Sequence, residues 1–330
     1  MVYLRPLPHS HATGPRLAGG WMRFDAVELR ERGRPPQVLP VAEVPDRDLA
    51  PFLAPRAPVA GIAMTRPSLM GILNVTPDSF SDGGRYRDVV AVRAQAEAMA
   101  RADILDIGGE STRPGATEVD AGEEIARVLP ALEALRGLPL SIDTRKAAVA
   151  RAALGAGAAL VNDVSALGFD AGMAEVVARS RVPVCLMHAG GPPETMQDDP
   201  RYGDVLLDVY DALEGRLRAA EAAGIARDRI VVDPGIGFGK TLAHNLALLR
   251  GIATFHGLGC PVLLGASRKG FVGAIGGAAT AADRGPGTLA VTLSAVAQGV
   301  QMHRVHDVET VAQGLALWRE TGGSDGPVWD

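Results

Sequence analysis

Residues 69–74 read LMGILN, an apolar run that closes on the amide Asn74. A core strand with no other task needs no polar ending, yet the pattern comes back seven more times. The runs 104–106, 140–143, 159–162, 184–188, 230–233, 262–267 and 300–304 close on Asp106, Asp143, Asn162, His188, Asp233, Ser267 and Arg304. Short, continuously apolar runs suit parallel strands covered on both faces. Between them, helical spacing fits 89–101, 121–136, 147–156, 171–181, 202–223, 242–251, 287–299 and 307–318, with Ala, Leu and Val on one face and charges on the other. Eight strand–helix repeats predict an α/β fold, a (β/α)8 TIM barrel whose strand carboxyl ends converge on one mouth. A ring of amides, carboxylates, a hydroxyl, an imidazole and a guanidinium suits a small, flat, polar heterocycle together with an anion.

The chain's 330 residues exceed the size of a minimal barrel, so about 250 residues would form it and the remainder would be added to it. Hydrophobic residues make up 47% but aromatics only 4%, which calls for an aliphatic, Ala-rich core. A formal charge of −5 gives no general attraction to nucleic acid or to an anionic membrane, so an anionic ligand must be held by local donors. Cys185 and Cys260 stand far apart in apolar runs, outside any CxxC pair, and read as buried free thiols of a reducing compartment. The first residues carry prolines and no apolar signal region, and no run approaches the ~20 apolar residues of a membrane span. The expected location is the cytoplasm.

Residues 1–66 differ in composition: prolines recur at Pro6, Pro8, Pro15, Pro35, Pro36, Pro40, Pro45, Pro51, Pro55 and Pro58. In this stretch 21–29 (WMRFDAVEL) alternates cleanly, which predicts one short strand. The division expected is a Pro-rich N-terminal extension over 1–66, packed on the barrel or on a partner chain, and the barrel over 67–330. Two long loops rich in Gly, Ser, Thr, Asp and Pro follow the first two strands, 76–87 and 108–117. Loops of that length at strand carboxyl ends are usually lids rather than connectors.

Asp106, Asp143 and Asp233 end three different strands, where a carboxylate accepts the paired N–H groups of an amino-pyrimidine edge. A single such Asp could equally cap the next helix, but three facing one mouth point to a shared site. Asn74 and Asn162 add amides able to donate and accept. The segment 231–241 (VVDPGIGFGKT) looks like a phosphate loop but carries Pro234 where that motif needs glycine. Its glycines are expected to let backbone approach a flat ligand, with Phe238 as an apolar wall and Lys240 as a surface residue without a role. Ser267, Arg268 and Lys269 close the seventh run, and a Lys among carboxylates can donate to a ring carbonyl or nitrogen. Alternation sends Arg304 and His306 to one side just before a helix, an arrangement that fits a phosphate or pyrophosphate. His9, His11, His244 and His256 fall in loops or helix turns and read as structural.

Seven segments together resemble the motifs of the dihydropteroate synthase family of pterin-binding enzymes. They are MGILNVTPDSFSDGG (70–84), DIGGESTRPGA (106–116), SIDTRK (141–146), LMHAGGPPETMQ (186–197), DPGIGFGKT (233–241), GASRKGF (265–271) and HRVHDV (303–308). The resemblance implies a barrel, usually homodimeric, that uses Mg²⁺ to join 6-hydroxymethyl-7,8-dihydropterin pyrophosphate to p-aminobenzoate in folate biosynthesis and is a target of sulfonamides. It implies that Asp143, Asn162, Asp233 and Lys269 hold the pterin, with Met187 lining the pocket and Asp106 near the ring. Asn74 would contact Mg²⁺ or pyrophosphate, Arg304 and His306 the pyrophosphate, and Asp106, Lys269 and Arg304 would carry the chemistry. Asp78, Asp82, Thr112, Arg113 and Pro114 belong to the two lids, while Phe238 and the turn at Ser267 would frame p-aminobenzoate.

No residue looks like an activated nucleophile, so a dissociative substitution without a covalent enzyme intermediate is expected. The chain departs from the family pattern at Gly270, where many members carry Ser, at Arg145, where a small residue is common, and at Ala189 and Gly190. Two other functions remain open from sequence: a methyltransferase using methyltetrahydrofolate and a corrinoid partner, and a non-catalytic pterin-binding paralogue. Intact GGESTRPG and RVHD segments weigh against both.

Overall fold

The computed structural model describes residues 2–75, 84–111, 116–192 and 195–322. The chain opens with three antiparallel strands where one was expected: β1 (Val2–Pro8), β2 (Phe24–Glu31) and β3 (Gln37–Pro40), with β2 in the centre. Prolines hid the other two. Pro6 and Pro8 lie in β1, where the register shifts, and Pro40 ends β3; both are edge strands, which tolerate a residue lacking the ladder N–H. Helix α1 (Asp46–Leu53) follows, and Leu49 and Phe52 join Leu17, Phe24, Val27 and Val44 in a small core of their own.

This sheet is tied to the rest of the chain by specific polar contacts. Trp21 Nε1 donates to the Val296 carbonyl at 3.0 Å, Tyr3 Oη to Asp211 at 2.8 Å, and Arg56 Nη2 to the His256 carbonyl at 2.8 Å. Then residues 59–64 turn inward. Val59 and Ile62 exchange backbone hydrogen bonds at 3.0 and 2.8 Å, and together with Met64 they pack against Met70, Ile104, Leu160, Cys185, Val231, Leu263 and Met302. The latter seven come from seven different strands, so the segment forms an apolar floor to the barrel.

The barrel itself runs β4 (Ser68–Asn74), α2 (Gly84–Glu97), β5 (Ile104–Gly108), α3 (Ala121–Ala134), β6 (Leu140–Asp143), α4 (Ala147–Gly155) and β7 (Leu160–Asp163). It continues through α5 (Met173–Ser180), β8 (Val184–Met187), α6 (Val205–Ala222), β9 (Ile230–Asp233), α7 (Leu242–Arg250), β10 (Leu263–Leu264), α8 (Gly270–Gly276), α9 (Gly285–Val296), β11 (Met302–Val305) and α10 (Val308–Gly322). All eight strands pair in parallel in the order β10-β11-β4-β5-β6-β7-β8-β9, and a bridge between Val232 and Val262 brings β9 back to β10. The expected (β/α)8 barrel is therefore the observed one.

Pleating sorts the side chains. In β5, Ile104 joins the floor and Asp106 stands above it inside the barrel, while Leu105 and Ile107 face the helical shell. The helices bury one face each, such as Val128, Ala131 and Leu132 of α3, and several start on a side-chain cap: Asp120 for α3, Asp204 for α6, Thr241 for α7. Burying each large aliphatic of this kind contributes about 1.5–3 kcal/mol. Met64 is 1% exposed in the floor, whereas Val38 on β3 is 62% exposed. Met64→Ala is expected to lower unfolding free energy by about 2–4 kcal/mol in denaturant titration, and Val38→Ala to change it by less than about 0.5 kcal/mol.

Candidate active site

Arg304, on the last strand, reaches across the mouth to the ends of β5 and β6. Its Nε donates to Asp106 Oδ2 at 2.6 Å and its Nη2 to Asp143 Oδ2 at 2.7 Å. Asn162 Nδ2, on β7, donates to the same Asp106 oxygen at 2.9 Å. Asp106 is fully buried and Asp143 nearly so, yet among the described residues Oδ1 of each has no hydrogen-bond partner. Buried carboxylate oxygens are costly to leave unpaired, so two of them in one mouth are able to accept from a ligand that enters it. Burial pushes the Asp143 carboxyl up to about 7; Arg304 opposes this, while Asp106, Glu124 and Asp163 add to it. Burial works against the Arg304 charge as well, but Asp106 and Asp143 outweigh it and hold the guanidinium charged.

Asn74 ends β4 beside this set. A Cβ placed on Gly108 would lie 3.4 Å from Asn74 Oδ1 and 3.7 Å from Asp143 Oδ2, so the glycine leaves both oxygens facing one small space. On the other side Asp233 ends β9. Burial raises its pKa, partly offset by the Gly235 N–H, which it accepts at 2.7 Å, and by Lys269. Lys269 Nζ stands 3.9 Å from the centroid of the Phe238 ring and donates to the Ile236 carbonyl. Met187 is buried and paired in register with Asp233.

Gly235 (φ +67°) and Gly239 (φ +64°) are in the left-handed region and make room for the neighbouring loop, since an added Cβ would fall 1.9 Å from the His188 carbonyl oxygen and 2.7 Å from the Gly190 Cα, while one on Gly237 would fall 2.8 Å from the Lys269 side chain. One expectation about the 233–241 segment is corrected. Lys240 is not a surface residue but 4% exposed, with Nζ 3.0 Å from His188 Nδ1 and 2.9 Å from the Phe238 carbonyl.

In the described structure Arg304 and His306 take different partners. Arg304 rests on carboxylates, while the backbone N–H of His306 donates to Ser267 Oγ at 3.1 Å and its Nδ1 lies 2.9 Å from the same oxygen. Asp78, Asp82, Thr112, Arg113 and Pro114 lie outside the described residues.

Glu110 escaped the sequence reading altogether. It is 5% exposed, accepts the Val119 N–H at 2.9 Å, and receives Lys146 at 3.1 Å and Arg145 at 3.3 Å. Burial alone would raise its pKa, but Val119, Arg145 and Lys146 together hold it below the usual carboxylate range. Lys146 also donates to the fully buried Glu124 at 2.7 Å, and the Arg145 guanidinium lies 4.0 Å from the centroid of the Phe169 ring. The sequence signal was the pair of cations two and three residues after Asp143, too close to the mouth for an ordinary solvated face.

Comparison with known proteins agrees with this geometry. Residues 70–306 match the family described as pterin binding enzyme. The dihydropteroate synthase of Neisseria meningitidis serogroup B is 46% identical over 271 residues, covering 79% of this chain and 95% of that protein. A structure of Xanthomonas albilineans dihydropteroate synthase with 4-aminobenzoic acid superposes with a TM-score of 0.73 at 46% identity, covering 79% of this chain and 96% of the other. The same organism's enzyme in complex with 7,8-dihydropteroate gives 0.70 at 44% identity, over 78% and 95%.

The raised Asp143 pKa has a consequence for stability. From its ordinary value of 3.8 up to about 7 the native chain binds the extra proton, so this group makes stability fall as pH rises across that window. Asp143→Asn is expected to raise the melting temperature by about 2–4 °C at pH 8 and to leave it unchanged near pH 4, read by calorimetry.

Proposed function

The chain belongs to the pterin-binding enzyme family, as a dihydropteroate synthase of folate synthesis, and we propose how its mouth performs that reaction. The enzyme is a transferase that joins 6-hydroxymethyl-7,8-dihydropterin pyrophosphate to p-aminobenzoate, giving 7,8-dihydropteroate and pyrophosphate. The observation that carries the residue assignment is the buried pair Asp106 and Asp143, which share Arg304 while each keeps one oxygen without a partner among the described residues.

Those oxygens and Asn162 take the amino-pyrimidine edge of the pterin, with Asp233 and Lys269 on its other polar side and Met187 against the ring. Arg304, already in the mouth, exchanges a carboxylate for a pyrophosphate oxygen as substrate enters, and His306 at the adjacent helix start is its second donor. The bond between the pterin methylene carbon and the pyrophosphate oxygen breaks first, and its electron pair leaves with pyrophosphate. Carboxylates beneath the ring favour the positive character left on the methylene, and the amine nitrogen of p-aminobenzoate then closes the new C–N bond and sheds a proton.

No protein nucleophile is needed. The nearest thiol, Cys185, lies in the floor and burial holds it far from its thiolate form. Asn74 and the space left by Gly108 offer hard oxygen donors of the kind Mg²⁺ accepts alongside phosphate and water, so Asn74 would hold the ion. When bound there, Mg²⁺ would neutralise pyrophosphate charge. Phe238 and the Ser267 turn frame p-aminobenzoate, with sulfonamides as its mimics. We take the working form to be a cytoplasmic homodimer; among the described residues no helix is long and apolar enough to cross a membrane.

A cell lacking its own synthase and expressing this chain is expected to grow without supplied folate end products. Arg304→Ala should abolish the rescue, with kcat down roughly 10²–10³-fold in the purified variant. Absence of growth despite soluble wild-type protein would favour a non-catalytic pterin binder, and unchanged kcat in the variant would remove Arg304 from the chemistry.

A further inference from the structure

We infer that Lys240 is a positioning residue of this reaction: its ammonium, shared between the loop after β8 and the loop after β9, sets the Phe238 wall against which p-aminobenzoate binds. The inference rests on the assignment of Phe238 to that substrate. Lys240 Nζ has three neighbours, His188 Nδ1 at 3.0 Å, the His188 carbonyl at 3.3 Å and the Phe238 carbonyl at 2.9 Å. Two are carbonyl oxygens that can only accept, and a protonated amine has three N–H groups to give. The set is complete when Lys240 is an ammonium and His188 is a neutral imidazole accepting through Nδ1, its proton on Nε2. The surroundings agree for His188. Burial, with Lys240 beside it, takes His188 down to about 3, while Arg216 lowers and Asp208 raises it more weakly. Burial, joined by Lys269, lowers Lys240 to about 7, and Asp233 opposes them by favouring its charge.

Lys240 is not the loop's sole support. Asn245 Oδ1 accepts the Gly237 N–H at 2.7 Å, Gln197 Nε2 donates to the Gly237 carbonyl at 2.7 Å, and Tyr202 Oη donates to the Gly239 carbonyl at 2.8 Å. These three hold the residues on either side of Phe238, and Lys240 takes the Phe238 carbonyl itself. The same ring carries the Lys269 ammonium on its face. A shift of the Phe238 peptide therefore moves the wall where the aromatic amine must lie, while Lys269, on the loop after β10, keeps its own bond to the Ile236 carbonyl.

The test is steady-state kinetics on the full chain with both substrates varied. Lys240→Met, which keeps the stem and removes the donors, is expected to raise KM for p-aminobenzoate about tenfold while KM for the pterin pyrophosphate and kcat stay within about twofold. His188→Leu should do the same. His188→Asn, whose Oδ1 replaces Nδ1 as acceptor, should stay within about threefold of wild type. Equal rises in both KM values, or none in either, for Lys240→Met would overturn the inference. Should that variant fail to fold, the His188→Leu and His188→Asn pair decides, because equal KM values for the two would overturn it as well. Phe238→Ala is measured in parallel: no change in KM for p-aminobenzoate there refutes the wall itself, whereas a large rise there with none in Lys240→Met refutes only the role of Lys240.

Discussion

The mouth depends on one guanidinium held between two buried carboxylates. Arg304 comes from β11, the last strand, while Asp106 and Asp143 come from β5 and β6, so the contact spans the barrel interior across the strand that lies between. Taking three ionised groups out of water costs more than their attraction returns unless every hydrogen-bonding position is filled. Here it is not filled, since each carboxylate keeps an oxygen without a partner among the described residues. A network left in that condition is a poor device for stability and a good one for binding, because a ligand supplying the missing donors recovers the cost. The upward push on Asp143 is the same fact seen through its proton: burial and neighbouring carboxylates disfavour its negative charge more than Arg304 favours it.

Such a site needs a rigid and dry support, and the other end of the barrel provides it. Val59, Ile62 and Met64 close the bottom against residues from seven strands. The extension before them is pinned through Trp21, Tyr3 and Arg56 to α9, α6 and the turn at His256. Packing is thus built below and along the shell, and the charged side chains that face a ligand stand above. This is the division expected of the fold, where the bottom carries packing and the strand carboxyl ends carry chemistry.

The strand endings were legible because burial on both faces leaves no local reason for a terminal Asp, Asn or Arg. Spacing then placed Asn74, Asp106, Asp143, Asn162, Asp233 and Arg304 around one mouth without any coordinates. What spacing cannot reveal is which partner each side chain takes. Arg304 read as an anion donor, and its partners at rest are carboxylates. Lys240 read as a helix-start surface residue, because nothing local tells that two neighbouring loops fold over it. Nor does spacing show that Gly235 and Gly239 make room for the chain at His188 and Gly190. β1 and β3 were invisible for the opposite reason, since proline suppresses the strand signal locally but is harmless at an edge. Glu110 required knowing that the loop after β5 passes over the start of α4.

The most direct measurement is pyrophosphate release by the purified chain with Mg²⁺, the pterin pyrophosphate and p-aminobenzoate, with the organic product weighed by mass spectrometry. The predicted result is release that requires both organic substrates and matches 7,8-dihydropteroate one for one. Release at the same rate without p-aminobenzoate, or none with all components present, would contradict the assignment of the mouth.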